Sequence, residues 1–279
     1  MLPQDSYVLF FVLVVSLALS SASASLRTRL TSSRPTDDNA RSIFRLDGDE
    51  HTTANAQIRF NHDDVGITRP DIAFPADHGD RCDEHGVLSE SLVVDGWRIL
   101  RFTARVGVGK VCYRQARDAV LGWNFHSKCG KKSMGIVSIN ASGFLGESEG
   151  LRNIARSKGY SRPRKSLLAT FTELALPFVQ IYVVNPVHTV YEKVDCWHRP
   201  SKCVYSCTSY ATLRGHLLSG EERVLARMRS SGEVYVEIVS FSRAGPSVIG
   251  KIVWPFIGRV QKQFFMKEID HLAKAAIRS

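Results

Sequence analysis

Residues 203–241 read CVYSCTSYATLRGHLLSGEERVLARMRSSGEVYVEIVSF and residues 255–276 read PFIGRVQKQFFMKEIDHLAKAA. The first stretch holds strand-like runs at 203–213, 222–229 and 233–241, punctuated by Ser219-Gly220 and Ser231-Gly232 with no helical pattern between them. That combination predicts consecutive antiparallel strands. In the middle run Val224, Ala226 and Met228 alternate with Arg223, Leu225, Arg227 and Arg229, which predicts one buried face and one wet face. The second stretch changes period. Ile257, Val260, Phe264, Phe265, Ile269, Leu272 and Ala276 fall on one helical stripe, with Lys262, Lys267, Asp270 and Lys274 outside it. Pro255 is read as the opener of this helix, because an amide in the first turn has no intrahelical partner to lose.

Working upstream, strand-like runs recur at 135–140, 167–173, 177–184 and 187–194, divided by Asn185-Pro186 and Arg199-Pro200. Before them a strand at 97–106 leads into an amphipathic helix at 110–123, whose apolar positions are Cys112, Ala116, Ala119, Val120 and Trp123. The expected fold class is α+β: a curved antiparallel sheet of about six or seven strands with one long C-terminal helix. This order is similar to the helix-grip, START-like fold, and that resemblance implies an elongated apolar cavity between sheet and helix.

The N-terminal quarter reads differently. Residues 6–26 carry no charge and end in small residues, Ala22-Ser23-Ala24, so 1–24 is expected to be a signal peptide that sends the chain into the secretory pathway. The alternative is a membrane anchor formed by 6–26, since the run approaches the roughly 20 residues a bilayer requires. Residues 25–57 are polar and Pro-containing and are expected to be a disordered linker or propeptide. The expected folded domain spans 58–279, with insertions near 71–95 and 143–165.

Composition excludes more than it identifies. With 279 residues, 44% hydrophobic, 23% charged, 20 Gly and 6 Cys, collagen, coiled coil, wholesale disorder and a disulfide-stapled toxin are excluded. Residues 1–80 hold 7 basic against 11 acidic side chains, so the net charge of +10 gathers in the remainder. Its densest part is Arg152, Arg156, Lys158, Arg162, Arg164 and Lys165, a candidate contact for an anionic membrane surface. No aromatic ladder or recognition motif accompanies these charges, so nucleic acid is not an expected partner.

Cys82, Cys112, Cys129, Cys196, Cys203 and Cys207 suit disulfides in a secreted chain, and a bridge between Cys196 and Cys203 across a hairpin is sterically conceivable. Cys196, His198, Cys203 and Cys207 are zinc-ligand types without the short paired spacing of structural zinc sites, so no metal is expected. Three motif fragments fail on context. Gly146-Glu147-Ser148-Glu149-Gly150 lacks the strand and helix of a nucleophile elbow. Gly130-Lys131-Lys132-Ser133 lacks the leading Gly of a phosphate loop, and Gly107-Val108-Gly109 lacks the third Gly of a dinucleotide fingerprint. No cofactor is expected.

A set of blocks carries a family resemblance: Phe60 to Thr68; Gly96-Trp97; Val106 to Gly109; Ala116 to Trp123; Tyr210 to His216 with Gly220-Glu221-Glu222; Ser240 to Arg243; and Arg259 with Gln261. Together, in this order, they resemble the DUF1990 family, a family named for its lack of a known function. Gly215 and Gly220 ease the turn of the central block, where His216, Glu221 and Glu222 gather beside Tyr210. The leading expectation is a binding protein for a hydrophobic small molecule or lipid, held by Trp123, Tyr210, His216, Arg243 and Arg259, with the two arginines at the cavity mouth. One alternative is a cyclase- or hydratase-like enzyme with His216 and Glu222 as acid and base. Another is an interaction protein that uses the basic run.

Overall fold

Alternating side chains and tight turns make hairpins, and here hairpins add edge to edge until the sheet carries nine strands among the described residues. The computed structural model describes residues 29–36, 43, 60–70, 87–123, 134–138, 167–175, 180–246 and 248–277. The strands are β1 Arg29–Thr31, β2 Val87–Val94, β3 Trp97–Val108, β4 Met134–Ser138, β5 Leu167–Ala175, β6 Gln180–His198, β7 Cys203–Thr212, β8 Leu218–Arg229 and β9 Glu233–Ala244. Helix α1, Gly109–Leu121, follows β3, and α2, Val248–Ile277, closes the described chain. The sheet order is β2-β3-β9-β8-β7-β6-β5-β4, with β1 paired to β6 and every pairing antiparallel.

Both helices share one face of this sheet. Phe265, Ile269, Leu272 and Ala276 of α2 join Tyr113, Ala116, Ala119 and Val120 of α1 in a core completed by Phe102, Val224, Ala226, Val236 and Ile238 from the strands. Phe102 and Phe265 bring their ring centroids to 6.0 Å. Burying each of the Val, Leu, Ile and Phe side chains among these stabilises by about 1.5–3 kcal/mol. This core holds the last helix on the sheet.

The expected count of six or seven strands is too low, and the strand pattern differs from the expectation at three places. β2 falls inside the stretch read as an insertion, and its pairing with β3 from Val94 opposite Trp97 to Val87 opposite Ala104 comes from register rather than from an obvious sequence period. β1 lies in the stretch read as linker and pairs through Arg29, Leu30 and Thr31 with Val184, Val183 and Tyr182. Asn185-Pro186, read as a turn, lies inside β6. On one edge of β6 the ladder is interrupted between Val184, opposite Arg29, and Val187, opposite Thr212. Pro186 occupies that gap, where it has no N–H to leave unpaired.

The long helix also starts earlier than expected. Pro255 is internal to α2, not its first turn. Its missing N–H frees the carbonyl of Lys251, and both residues lie on the exposed side, where water can bond the freed oxygen. No helix among the described residues is long and apolar enough to cross a membrane. The leader expected at 6–26, the basic run at 152–165, Cys82 and Cys129 lie outside the described residues.

The far face of β8 is not wet. Arg223, Leu225 and Arg227 are buried: residues 60–69 cross that face as a strap at Arg223, and Tyr191, Tyr205 and Cys207 pack around Leu225. Arg223 donates to the Thr68 carbonyl at 2.7 Å and pairs with Glu237 at 2.5 Å, both side chains fully buried. Arg227 lies over the Tyr235 ring at 5.3 Å. A strand that alternates in sequence thus ends with both faces covered.

The cysteine expectation also changes. Cys196 sits opposite Tyr205 and Cys203 opposite His198, and neither forms a disulfide, nor do Cys112 and Cys207. The register sets the two hairpin cysteines on non-partner positions, so no cross-hairpin bridge forms. Burial pushes the Cys207 thiol up to about 12, which keeps it protonated.

Candidate functional site

β7 and β8 are joined by a short connection, 213–217, that lies beyond the ends of both ladders. Gly215 there has φ +93°, a left-handed conformation that costs glycine little. Gly220 serves another purpose: a Cβ at that position would run into the Phe241 carbonyl of β9. Its absence lets β8 approach β9 closely, with Gly220 opposite Ser242.

Between these strand ends and α2 lies a cavity of about 170 Å³. Its helix wall is Ile257, Gln261, Phe264 and Phe265, spaced so that all four share one side of α2. Val183, Leu217 and Leu218 add apolar surface from the strands and the connection, while Tyr210, His216, Glu222, Ser240 and Ser242 supply polar groups, with Thr170, Asn185 and Thr212 beside them. An apolar enclosure with a few convergent polar atoms is the usual form of a small-molecule site.

Tyr210 and Glu222 are direct cross-strand partners, and the phenol donates to Glu222 Oε2 at 2.5 Å. Burial drives the Tyr210 pKa well above its ordinary value, and the carboxyls of Glu222 and Glu268 push it the same way. Tyr210 therefore holds its proton. Glu268, fully buried on α2, has its own pKa raised well above the carboxylate range by burial. Sequence reading missed it. The available signal was a carboxyl one turn from Phe265 and from Leu272, inside the apolar stripe rather than beside it.

His216 is the other polar wall. The Leu218 N–H donates to its Nδ1 at 2.9 Å, so that nitrogen carries no proton. Burial lowers the ring's pKa to about 3, against a smaller opposing pull from this same bond. The imidazole is thus neutral at pH 7, its one proton on Nε2. As an acid–base partner for Glu222 it has only that atom to offer.

Glu221 also lines the cavity, but its carboxylate does not join this group. Adjacent strand residues point to opposite faces, and the Glu221 carboxylate faces the strap, accepting from Gly66 N, Thr68 N, Thr68 Oγ1 and Ser209 Oγ. Thr68 Oγ1 also meets the Tyr191 hydroxyl at 2.9 Å. Burial raises the Glu221 pKa while the four hydrogen bonds pull it down. Asn61 and His62 extend the same fastening: Asn61 Nδ2 donates to the Leu218 carbonyl at 2.6 Å, and His62 Nε2 lies 3.1 Å from the Gly220 carbonyl.

The structure brings Tyr210, His216 and Glu222 to one cavity and separates Trp123 and Arg243 from it. Trp123 is buried behind Tyr210, their ring centroids 5.6 Å apart, and does not reach the cavity wall. Arg243 is half-exposed, 4.3 Å above the Trp97 ring and 3.7 Å from Asp64. It fastens the strap rather than the mouth. Arg259 belongs to α2, and its side chain lies outside the described residues.

Residues 147–270 match the family model described as Domain of unknown function (DUF1990), which bears out the resemblance over that stretch. The blocks from Phe60 to Trp123 lie outside the matched residues. No curated protein matches the chain. Among solved structures the chain is similar to the human StarD13 (DLC2) lipid transfer and protein localization domain, at 10% identity and a TM-score of 0.30, covering 70% of this chain and 90% of that one.

Proposed function

We propose that this protein binds a small apolar molecule in the cavity between β7–β9 and α2, with sheet and terminal helix acting as a helix grip around it. The observation that carries the reading is the cavity's composition: phenylalanine, isoleucine, leucine and valine surround a short list of polar atoms. A solid core would place no space there. Size narrows the guest. A dry protein cavity of about 150 Å³ accepts benzene, so about 170 Å³ seats one ring or the end of an acyl chain. A whole lipid would leave most of its length at the mouth.

Methylcyclohexane titrated into the full chain is expected to shift the methyl resonances of Val183, Leu217 and Ile257. Undisturbed methyls at saturating probe would overturn the reading. Ser240→Phe then separates cavity from core. Ser240 lines the space and is buried, so a phenyl ring that fills it should abolish the shifts while changing stability by less than about 1 kcal/mol. In a packed core the same insertion would cost about 1–3 kcal/mol.

A further inference from the structure

The cavity's polar atoms are not equivalent, and their differences select among ligands. The Tyr210 hydroxyl already donates to Glu222. Gln261 accepts weakly from Ser242 Oγ at 3.4 Å, through an amide that can rotate. The guanidinium of Arg243 is turned toward Asp64 and Trp97. His216 differs from all three: its Nδ1 is held by the Leu218 amide, which fixes the tautomer and leaves a proton on Nε2. Among the described residues Nε2 has no hydrogen-bond partner, and His216 lines the cavity.

We propose that His216 Nε2–H is a preset hydrogen-bond donor for an uncharged carbonyl-type oxygen on an otherwise apolar guest. The proposal rests on the cavity being a ligand site and names the chemistry of its guest. An anionic head group fits poorly, because the wall that holds His216 also holds Glu222, and none of the described cavity-lining side chains is cationic. A hydrocarbon without oxygen leaves the donor unmatched, at the cost of an unmade hydrogen bond. A ketone, aldehyde or ester oxygen satisfies it without bringing charge.

The test compares cyclohexanone with methylcyclohexane, similar in size, on the full chain and on His216→Phe. The affinity ratio of ketone to hydrocarbon is expected to fall roughly three- to tenfold in the variant, as loss of one hydrogen bond predicts. An unchanged ratio with both probes still bound would overturn the donor assignment and leave the apolar site standing. Failure of both probes to bind the unaltered chain would overturn the site itself. His216→Phe also removes the acceptor for the Leu218 amide, so a second readout uses the unaltered protein. In long-range proton–nitrogen spectra of the imidazole, cyclohexanone should move the Nε2 resonance and methylcyclohexane should not. An Nε2 signal indifferent to the ketone, while cavity methyls respond to it, would likewise sink the proposal.

Discussion

Glu221 and Glu222 are neighbours on one strand and live in opposite worlds. Toward the strap, Glu221 is saturated by four donors, and Arg223 beyond it is matched by Glu237 and the Thr68 carbonyl. Toward α2, Glu222 shares a cavity with a tyrosine and a neutral histidine. Buried charge by itself therefore does not mark a function. On the strap face Glu221 and Arg223 meet donors and acceptors of the strap and Glu237; on the helix face there is volume, and a donor fixed before any guest arrives.

The sharpest way to break this contrast is to remove a partner from the saturated face. Glu237→Ala strands Arg223 in the interior, and urea unfolding should show a loss of about 3–5 kcal/mol. A loss below about 1 kcal/mol would mean that the strap face tolerates an unmatched charge and that its pairing is not structural. Methylcyclohexane binding by the fraction that stays folded should be unchanged.

On the helix face the expected signature is pH dependence. The folded His216 pKa, about 3, lies below the ordinary 6.5, so the unfolded chain takes up a proton in that interval and the folded one does not. Stability is then full above about pH 6.5 and falls as pH drops toward 3, at roughly 1.4 kcal/mol per pH unit once well inside the window. Between pH 7 and pH 5 this amounts to about 2 kcal/mol. His62, its pKa also lowered by burial, acts in the same direction, whereas Glu221 and Glu268, raised by burial, lose stability as pH rises. The difference between the unaltered chain and His216→Gln isolates the ring. Equal pH slopes for the two proteins would show that His216 ionises freely in the fold.

Thr68→Val sharpens the comparison with a smaller expected effect. It deletes the hydroxyl shared by Glu221, Tyr191 and Ser209 while keeping the backbone bonds of the strap. A cost of about 1–3 kcal/mol is expected, accompanied by faster hydrogen exchange at the Gly66 amide. Slow exchange at Gly66 in a destabilised variant would assign the cost to the sheet instead of to the strap.

How the two faces became legible differs as well. The apolar stripe of α2 is visible in sequence because a helical period survives in the order of residues, and Tyr210, His216 and Glu222 cluster because they sit on either side of one turn. Arg223 looked wet for the same kind of reason: local alternation says nothing about a strap from residues 60–69 lying on the other side. Trp123 and Arg243 look like ligand residues only while their neighbours are unknown. Glu268 was overlooked because a single carboxyl on a long amphipathic helix resembles every other surface glutamate until its rotation is fixed by Phe265 and Ile269.

The sequence by itself determined that this chain builds antiparallel strands and ends in a helix with one apolar face, because backbone geometry converts two- and 3.6-residue periods into faces without reference to anything distant. Tertiary structure alone decided the strap that buries Arg223 and the space left beside His216. Those depend on contacts between residues more than 100 positions apart, such as Thr68 with Glu221, and on whether packed side chains meet or fall short. No local pattern in the chain encodes either.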